Sequence, residues 1–148
     1  MLMRFAVAYF KAKREGRPVL PRDLWPLKGL ACWGVDTSIY REQLLHYWGK
    51  EPFESYCSAE SGVIAMSGWT KRYLTLLPAS AYIEFLPLDS KDDKTVTLRD
   101  VKVGERYEMV ISSFYGMPFM RYRMGDVMKI VAPSDDVAGV KLPQAVFE

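Results

Sequence analysis

Two hydrophobic patterns divide the chain. Residues 2–14 are apolar on nearly every side and end in a basic turn, with the helix breakers Gly16 and Pro18 beyond them, so we expect a helix there. Three prolines in the stretch 18–26 predict an extended connector after it. From residue 62 onward, β-branched and aromatic side chains come in short runs separated by turn residues, which is typical of antiparallel strands.

Residues 28–56 lie between these two patterns and combine them. The apolar run LKGLACWGV, ended by Gly34, predicts a short buried strand, and FESYCSA after Pro52 predicts a second one. The segment IYREQLLHYW between them predicts a helix that ends at Gly49. The predicted buried face of this helix consists of Ile39, Leu44, Leu45 and Trp48.

Seven segments of the second half have strand-like composition. The stretches 89–94 (DSKDDK) and 102–105 (KVGE) are polar turns, and no helical periodicity of useful length occurs. The strand-like segments are GVIAMSGW, YLTLLP, AYIEFLPL, TVTLRDV, RYEMVISSFY, MPFMRY and GDVMKIVAP. The predicted fold class is α+β, a short strand–helix–strand unit followed by a mostly antiparallel β subdomain.

Composition and charge narrow the classes of protein that fit this pattern. With 148 residues, of which 49% are hydrophobic and 26% charged, the chain has the size and composition of one packed domain. The net charge of +2 gives no reason to expect nucleic acid, and we interpret the six basic side chains within residues 1–22 as a solvated helix end. No apolar stretch reaches the length of a membrane span. We therefore expect neither a nucleic-acid nor a membrane partner.

The chain contains few residues for covalent or metal chemistry. Cys32 and Cys57 are the only cysteines and His46 is the only histidine, so neither a disulfide framework nor a zinc site is expected. Two isolated thiols in apolar surroundings are typical of a reduced, cytoplasmic protein. His46 belongs to the helical pattern, where we expect a structural role.

Two carboxylates stand at unusual places. Glu60 follows a predicted strand among small residues, where it can coordinate Mg²⁺ beside phosphates or pair with Lys71 or Arg72. Asp126 follows Gly125, where it can accept backbone N–H bonds or hold two hydroxyls of a ribose. The residues alone leave these alternatives open.

Arg121 and Arg123 flank Tyr122 in a predicted strand, so both guanidinium groups face one side of the sheet. Two cations on one face are costly unless an anion or a carboxylate lies between them. This spacing predicts such a negative partner.

Four motifs, in this order, carry a family resemblance: YCSAESG, AYIEFLP, VKVGERYEMVISSFYG and RYRMGDV. Together they resemble the adenylate-forming superfamily, and most closely its auxin-responsive Gretchen Hagen branch of acyl-acid amido synthetases. The resemblance implies that residues 24–131 form part of the large N-terminal domain of such an enzyme. Residues 1–23 then form a helix and connector, and residues 132–148 a tail leading toward a C-terminal domain.

The resemblance also implies a reaction and a set of site residues. Such enzymes use ATP and Mg²⁺ to activate a carboxylic acid as an acyl-adenylate, and they pass the acyl group to an amine, usually that of an amino acid. For the nucleotide, it implies Tyr56 against the adenine, Glu60 as the metal ligand, Asp126 on the ribose hydroxyls and Arg123 nearby. For the substrate pocket, it implies Trp33, Gly34, Tyr115 and Gly116.

The chain departs from the family pattern in two respects. Ala59 stands where the family has a hydroxyl residue that contacts a phosphate, which leaves Ser58 as the nearby substitute. Neither the family's phosphate loop nor its catalytic lysine domain is encoded here, so we expect no complete catalytic set and little activity without those segments. The alternatives are a non-catalytic nucleotide- or acyl-acid-binding module and a fragment of an acyl-CoA or aryl-CoA ligase from the same superfamily.

Overall fold

A computed structural model describes residues 2–34, 36–89, 92–114 and 116–148. The chain divides into two compact units. The first comprises Met1–Ala31 and Thr37–Pro52, and the second comprises Cys32–Asp36 and Phe53–Glu148. Helices lie before residue 49 and strands dominate after it, so the predicted α+β class is confirmed.

The first unit is helical. Its α1 helix has the bounds expected from the sequence, and Arg17 beyond it is joined to Asp23 by hydrogen bonds of 2.8 and 2.9 Å. The last helix ends at Gly49, whose left-handed backbone lets its N–H donate to the Leu45 carbonyl. The elements are α1 (Leu2–Arg14), α2 (Pro21–Leu24), a 3-10 turn (Thr37–Tyr40) and α3 (Arg41–Trp48).

The buried face expected for α3 is wrong. Ile39 is 72% exposed and Leu45 43% exposed, and the described part of α3 contains no buried residue. Within its unit the helix lies beside α2 and the preceding turn, and the Trp25 and Trp48 rings are 6.5 Å apart there. Apolar side chains on the other faces of α3 therefore stay exposed.

The second unit is an antiparallel sheet. Its strand order is β2-β3-β4-β9-β8-β7-β5-β6, and β1 (Leu30–Trp33) lies beside β2 at the edge. Every pair of neighbouring strands in the order just given, from β2 at one end to β6 at the other, is antiparallel. The strands are β2 (Pro52–Ser58), β3 (Gly62–Ser67), β4 (Leu74–Leu76), β5 (Tyr82–Pro87), β6 (Val96–Thr97), β7 (Arg106–Ser113), β8 (Phe119–Ala132) and β9 (Gln144–Phe147).

Strands β8 and β9 differ from the sequence expectation. MPFMRY and GDVMKIVAP, expected as two strands, join into the single strand β8, because an irregularity in its pairing accommodates Gly125 without ending the strand. The segment 132–148, expected as a tail, contributes β9, which pairs with both β4 and β8. The sequence of β9, QAVF, does not alternate between apolar and polar residues, so no period-2 pattern identifies this strand.

The core lies on one face of the central strands. Ile83 and Phe85 of β5, Met109 of β7 and Met128 of β8 are at most 4% exposed and belong to one hydrophobic cluster. Tyr107 also joins this cluster, and its hydroxyl donates to Glu105. Alternation along β5 and β7 sends Glu84 and Glu108 to the opposite face.

The sheet is strongly curled. Three strands lie between β2 and β8, so a flat sheet would separate these two by about 19 Å. Instead, the ring centroid of Tyr56 in β2 lies 4.9 Å from that of Phe147 in β9, and the Tyr56 hydroxyl reaches Met124 and Asp126 of β8. The curl thereby brings together the YCSAESG and RYRMGDV motifs, which are distant in sequence.

Candidate functional site

A cavity of about 540 Å³ opens where β2 approaches β8 and β9. All of its described lining residues belong to the second unit. They are Gly34, Asp36, Glu54, Ser55, Tyr56, Cys57, Ser58, Asp126, Phe147 and Glu148. Three of the residues expected to bind nucleotide, Tyr56, Ser58 and Asp126, therefore line one cavity.

Tyr56 joins the two sides of this cavity. Its hydroxyl donates a hydrogen bond to Oδ2 of Asp126 and lies 3.7 Å from Sδ of Met124, while its ring meets that of Phe147 edge to face. Burial raises the pKa of the Tyr56 hydroxyl well above its ordinary range, and the Asp126 hydrogen bond and the nearby Glu60 charge act in the same direction. Tyr56 is therefore a neutral hydrogen-bond donor at physiological pH.

Asp126 reaches the cavity from an irregular point in β8. Gly125 immediately before it has a φ of +79°, in the left-handed region that favours glycine. The Asp126 carboxylate is half-buried, lines the cavity and accepts the bond from Tyr56. A carboxylate with two oxygens in this position can accept hydrogen bonds from neighbouring hydroxyls of a sugar.

The YCSAESG motif continues from β2 into the turn before β3. Ser58 lines the cavity, and its Oγ lies 2.8 Å from Oγ of Ser61. Ala59 is exposed, and neither it nor Glu60 is among the described lining residues. The charge of Glu60 nevertheless raises the Tyr56 pKa, so its carboxylate acts on the edge of the site.

The residues present fit a magnesium ion that is held by few protein ligands. No group of three His, Cys, Asp or Glu side chains that could hold a metal occurs within the described ranges. Mg²⁺ is commonly held by one or two carboxylates together with substrate phosphates, so a single carboxylate at Glu60 fits that mode.

The two arginines of RYRMGDV have carboxylate partners, as their spacing predicts. Nε of Arg123 donates to both carboxylate oxygens of Glu108, at 3.0 and 3.1 Å. Nε of Arg121 donates to Oε2 of Glu84 at 3.2 Å, and Thr95 also donates to Glu84. Glu108 lies on the strand next to β8 and Glu84 one strand further, and both belong to the other family motifs, so these ion pairs join the motifs across the sheet.

The expected substrate-pocket residues are spread more widely. Gly34 lines the cavity, whereas Trp33 is 66% exposed at the end of β1. Gly116 lies in the turn after β7 with a φ of +79° and is not among the described lining residues. Tyr115 lies outside the described residues.

Sequence reasoning did not identify several lining residues. Phe147 and Glu148 enter the site because β9 pairs with β8, which no local motif signals. Glu54 and Cys57 come from the strand that carries Tyr56, Cys57 within the YCSAESG motif and Glu54 just before it, and this neighbourhood was their only signal.

The cavity is acidic. Its described lining includes the carboxylates of Asp36, Glu54, Asp126 and Glu148 and contains no lysine or arginine, although Glu148 is paired with Arg106 and Lys129, and Asp36 and Glu54 also have partners. Such a lining favours an uncharged, hydroxyl-rich group over a phosphate.

Comparisons with known proteins agree with the motifs. The GH3 family central domain model matches residues 74–137. A probable indole-3-acetic acid-amido synthetase of Oryza sativa subsp. japonica, named GH3.12, is 36% identical over 121 residues, which cover 62% of this chain and 19% of the relative. Within the described residues, no helix combines the length and apolar content of a membrane span.

Two solved structures have a similar fold. The AtGH3.15 acyl acid amido synthetase in complex with 2,4-DB has a TM-score of 0.62 and 28% identity, over 85% of this chain and 22% of that one. A 2-hydroxyisobutyryl-CoA ligase with 2-HIB-AMP and CoA has a TM-score of 0.65, over 96% of this chain and 30% of the ligase; its 16% identity shows the fold alone. The chain thus spans about a fifth of the length of its amido synthetase relatives. The match of residues 74–137 to the GH3 central domain and the likeness to GH3 acyl acid amido synthetases together support a fragment of the GH3 family.

Proposed function

We propose that this chain forms the nucleoside side of the active site in an ATP-dependent acyl-acid amido synthetase. The reaction is activation of a carboxylic acid as an acyl-adenylate, followed by transfer of the acyl group to an amino acid. One observation carries the proposal: Tyr56 and Asp126, from motifs 70 residues apart, meet at one cavity. The relatives are named for amido synthesis, and the acids in their names, indole-3-acetic acid and 2,4-DB, differ from each other.

Different cavity residues contact the ribose, the adenine and the phosphates of the nucleotide, according to the polarity of each part. Asp126 accepts hydrogen bonds from the ribose hydroxyls, and the neutral ring of Tyr56 lies against the adenine. Because the described lining carries no cation, the phosphates leave the cavity on the side of the β2–β3 turn. Arg123 lies near the same nucleotide, and Trp33, Gly34, Tyr115 and Gly116 border the acyl substrate.

The turn after β2 serves the phosphates. The Glu60 carboxylate holds Mg²⁺, whose charge offsets the negative charge that develops on the phosphate during acyl transfer. Ser58 replaces the hydroxyl that Ala59 lacks, since its Oγ already lies at the cavity wall. These side chains bind and orient, which is sufficient for this chemistry because it requires no protein nucleophile. Two free cysteines, Cys32 and Cys57, are consistent with a cytoplasmic location.

Replacement of Asp126 tests the proposal. Asp126→Asn keeps the shape of the side chain but removes its charge, so ATP affinity should fall at least about tenfold, as expected for lost hydrogen bonds to a charged group. Asp136→Asn, at an exposed carboxylate bonded by Ser134, is the control and should leave affinity unchanged. Calorimetric titration with ATP measures both, and circular dichroism confirms folding.

Equal ATP affinity for the two Asp→Asn variants would contradict the role of Asp126. In a full-length protein that contains this segment, acid-dependent exchange of pyrophosphate into ATP should occur and should be lost in Asp126→Asn. ATP binding without exchange for any acid would instead support a non-catalytic nucleotide-binding module, the alternative that Ala59 favours.

A further inference from the structure

The strand that carries Asp126 is irregular at the point where Asp126 emerges. Glu108 of β7 pairs with Val127, and Val110 pairs with Arg123, so the single residue Met109 faces three residues of β8. Two extra residues therefore bulge from β8 at positions 124–126. Asp126 therefore lies within the bulge, where the regular ladder of hydrogen bonds does not fix its position.

Glu108 holds both sides of this bulge. Its carboxylate accepts hydrogen bonds from the Arg123 guanidinium, through Nε at 3.0 and 3.1 Å and through Nη2. The backbone N–H of Gly125, on the far side of Met124, also lowers the pKa of this carboxylate, after the larger effect of Arg123. One side chain thus connects the residues before and after Met124, and Asp126 follows directly.

The Glu108 side chain is much more buried than that of its partner, Arg123. The Glu108 side chain is 10% exposed, whereas that of Arg123 is 61% exposed. Removing a carboxylate from water is unfavourable unless its hydrogen bonds are satisfied, and an exposed ion pair contributes little to stability. A position next to Tyr107 and Met109 in a central strand would ordinarily favour a β-branched residue. The free-energy cost of burying the Glu108 carboxylate is offset by its interactions with Arg123 and Gly125 at the bulge.

We propose that Glu108 is a positioning residue that fixes the 124–126 bulge through Arg123 and Gly125 and thereby sets the Asp126 carboxylate at the cavity wall. This inference rests on the proposed nucleotide function, because it assigns Glu108 a role in the affinity for ATP. Glu108 itself is not among the described lining residues, so it acts through its neighbours.

The chain contains a matched control. Glu84 on β5 forms the same kind of pair with Arg121, is 13% exposed, and lies one strand further from β8 than Glu108 does. Glu84→Gln therefore removes a similar charge from the same face and leaves the Gly125 contact intact.

The test compares Glu108→Gln with Glu84→Gln in the ligand-free and ATP-bound protein. In Glu108→Gln, hydrogen exchange at the Gly125 amide should accelerate, the NMR signals of Asp126 and Tyr56 should shift, and ATP affinity should fall about tenfold. In Glu84→Gln, the signals of Gly125 and Asp126 should be unchanged, and ATP affinity should stay within about twofold. Thermal unfolding shows whether the two variants lose similar stability.

The outcomes separate this inference from the proposed function. Unchanged Gly125 exchange and Asp126 signals in Glu108→Gln would overturn the positioning role, whatever the protein binds. If those signals change but wild-type protein does not bind ATP, the bulge is held as inferred and the nucleotide function fails. Should Glu108→Gln not fold, Arg123→Lys tests the same contact, because it keeps the charge but loses the planar fork. Hydrogen exchange at the Gly125 amide should accelerate in Arg123→Lys and stay unchanged in the matched control Arg121→Lys. Equal Gly125 exchange in the two variants would overturn the positioning role.

Discussion

The bulge in β8 and the turn between β2 and β3 present their carboxylates by different means. In the bulge, Asp126 follows a left-handed Gly125 and is held by the Tyr56 hydroxyl, so its place is set by the protein. In the turn, Glu60 follows exposed Ala59 and lies outside the described cavity lining. We interpret the first as a preformed sugar contact and the second as a contact completed by the metal and phosphates. Asp126 and Glu60, two carboxylates of one proposed site, therefore differ in how far the protein positions them before the ligand binds.

The largest effect is expected from Gly125→Ala. The φ of +79° strains any residue with a Cβ, which costs about 1–2 kcal/mol, and relief of the strain would move Asp126. ATP affinity should therefore fall about tenfold or more, in addition to the loss of stability.

Gly139→Ala is the matched control for that change. Gly139 has a φ of +68° and, like Gly125, has open space where a Cβ would lie. Chemical denaturation should show a similar loss of stability for both variants, and titration should show lost ATP affinity only for Gly125→Ala. Equal ATP affinities would mean that the bulge does not place Asp126 for nucleotide.

A smaller and more selective effect is expected from Glu60→Gln. Loss of one partly exposed charge near Mg²⁺ corresponds to about 1 kcal/mol, or roughly fivefold in the affinity for Mg²⁺–ATP. Affinity for adenosine, which carries no phosphate, should not change. Calorimetry with both ligands makes the comparison, and an equal loss for adenosine would show that Glu60 supports the fold of the turn instead.

The difference between the bulge and the turn should also appear in the pH dependence of stability. The Arg123 pair holds the pKa of Glu108 below its ordinary range, so its contribution is complete above about pH 4.3 and is lost as the pH falls through the lower folded-state value. The stability difference between wild type and Glu108→Gln should therefore shrink as the pH falls through that window. Urea unfolding between pH 6 and pH 3 measures it; a constant difference would rule out ionisation of Glu108 as the cause.

The smallest effect is expected from Ala59→Ser, which restores the hydroxyl that the family motif has. A solvent-exposed hydrogen bond from this hydroxyl to a phosphate is worth about 0.5 kcal/mol, so affinity for Mg²⁺–ATP should rise roughly twofold. Ala31→Ser, an exposed site on β1, is a suitable control. A loss of affinity in Ala59→Ser would show that the turn does not face the phosphates.

Parts of this molecule were predictable from sequence because the signals are local. The α1 helix matches its apolar and basic pattern, and β5 and β7 lie within the segments that β-branched and aromatic composition marks. The ion pairs of Arg121 and Arg123 follow from their shared face, since like charges on one face require a negative partner.

Other parts depend on long-range structure and could not be predicted. Strand β9 and the contribution of Phe147 to the cavity arise from pairing with β4 and β8, which no residue within Gln144–Phe147 reveals. The curl that brings Tyr56 to Asp126 is likewise a property of the whole sheet. The exposure of Ile39 shows that a local pattern can also predict too much burial. A helical pattern indicates an apolar face, but it does not show whether a neighbouring element covers that face.

NMR titration of the chain with AMP tests the central claim, that Tyr56 and Asp126 together hold one nucleoside, most directly. The account predicts intermolecular contacts between the adenine protons and the Tyr56 ring, and between the ribose protons and Asp126, in the same complex. Contacts confined to another surface, such as the groove lined by Pro87, Asp89 and Arg106, would contradict it.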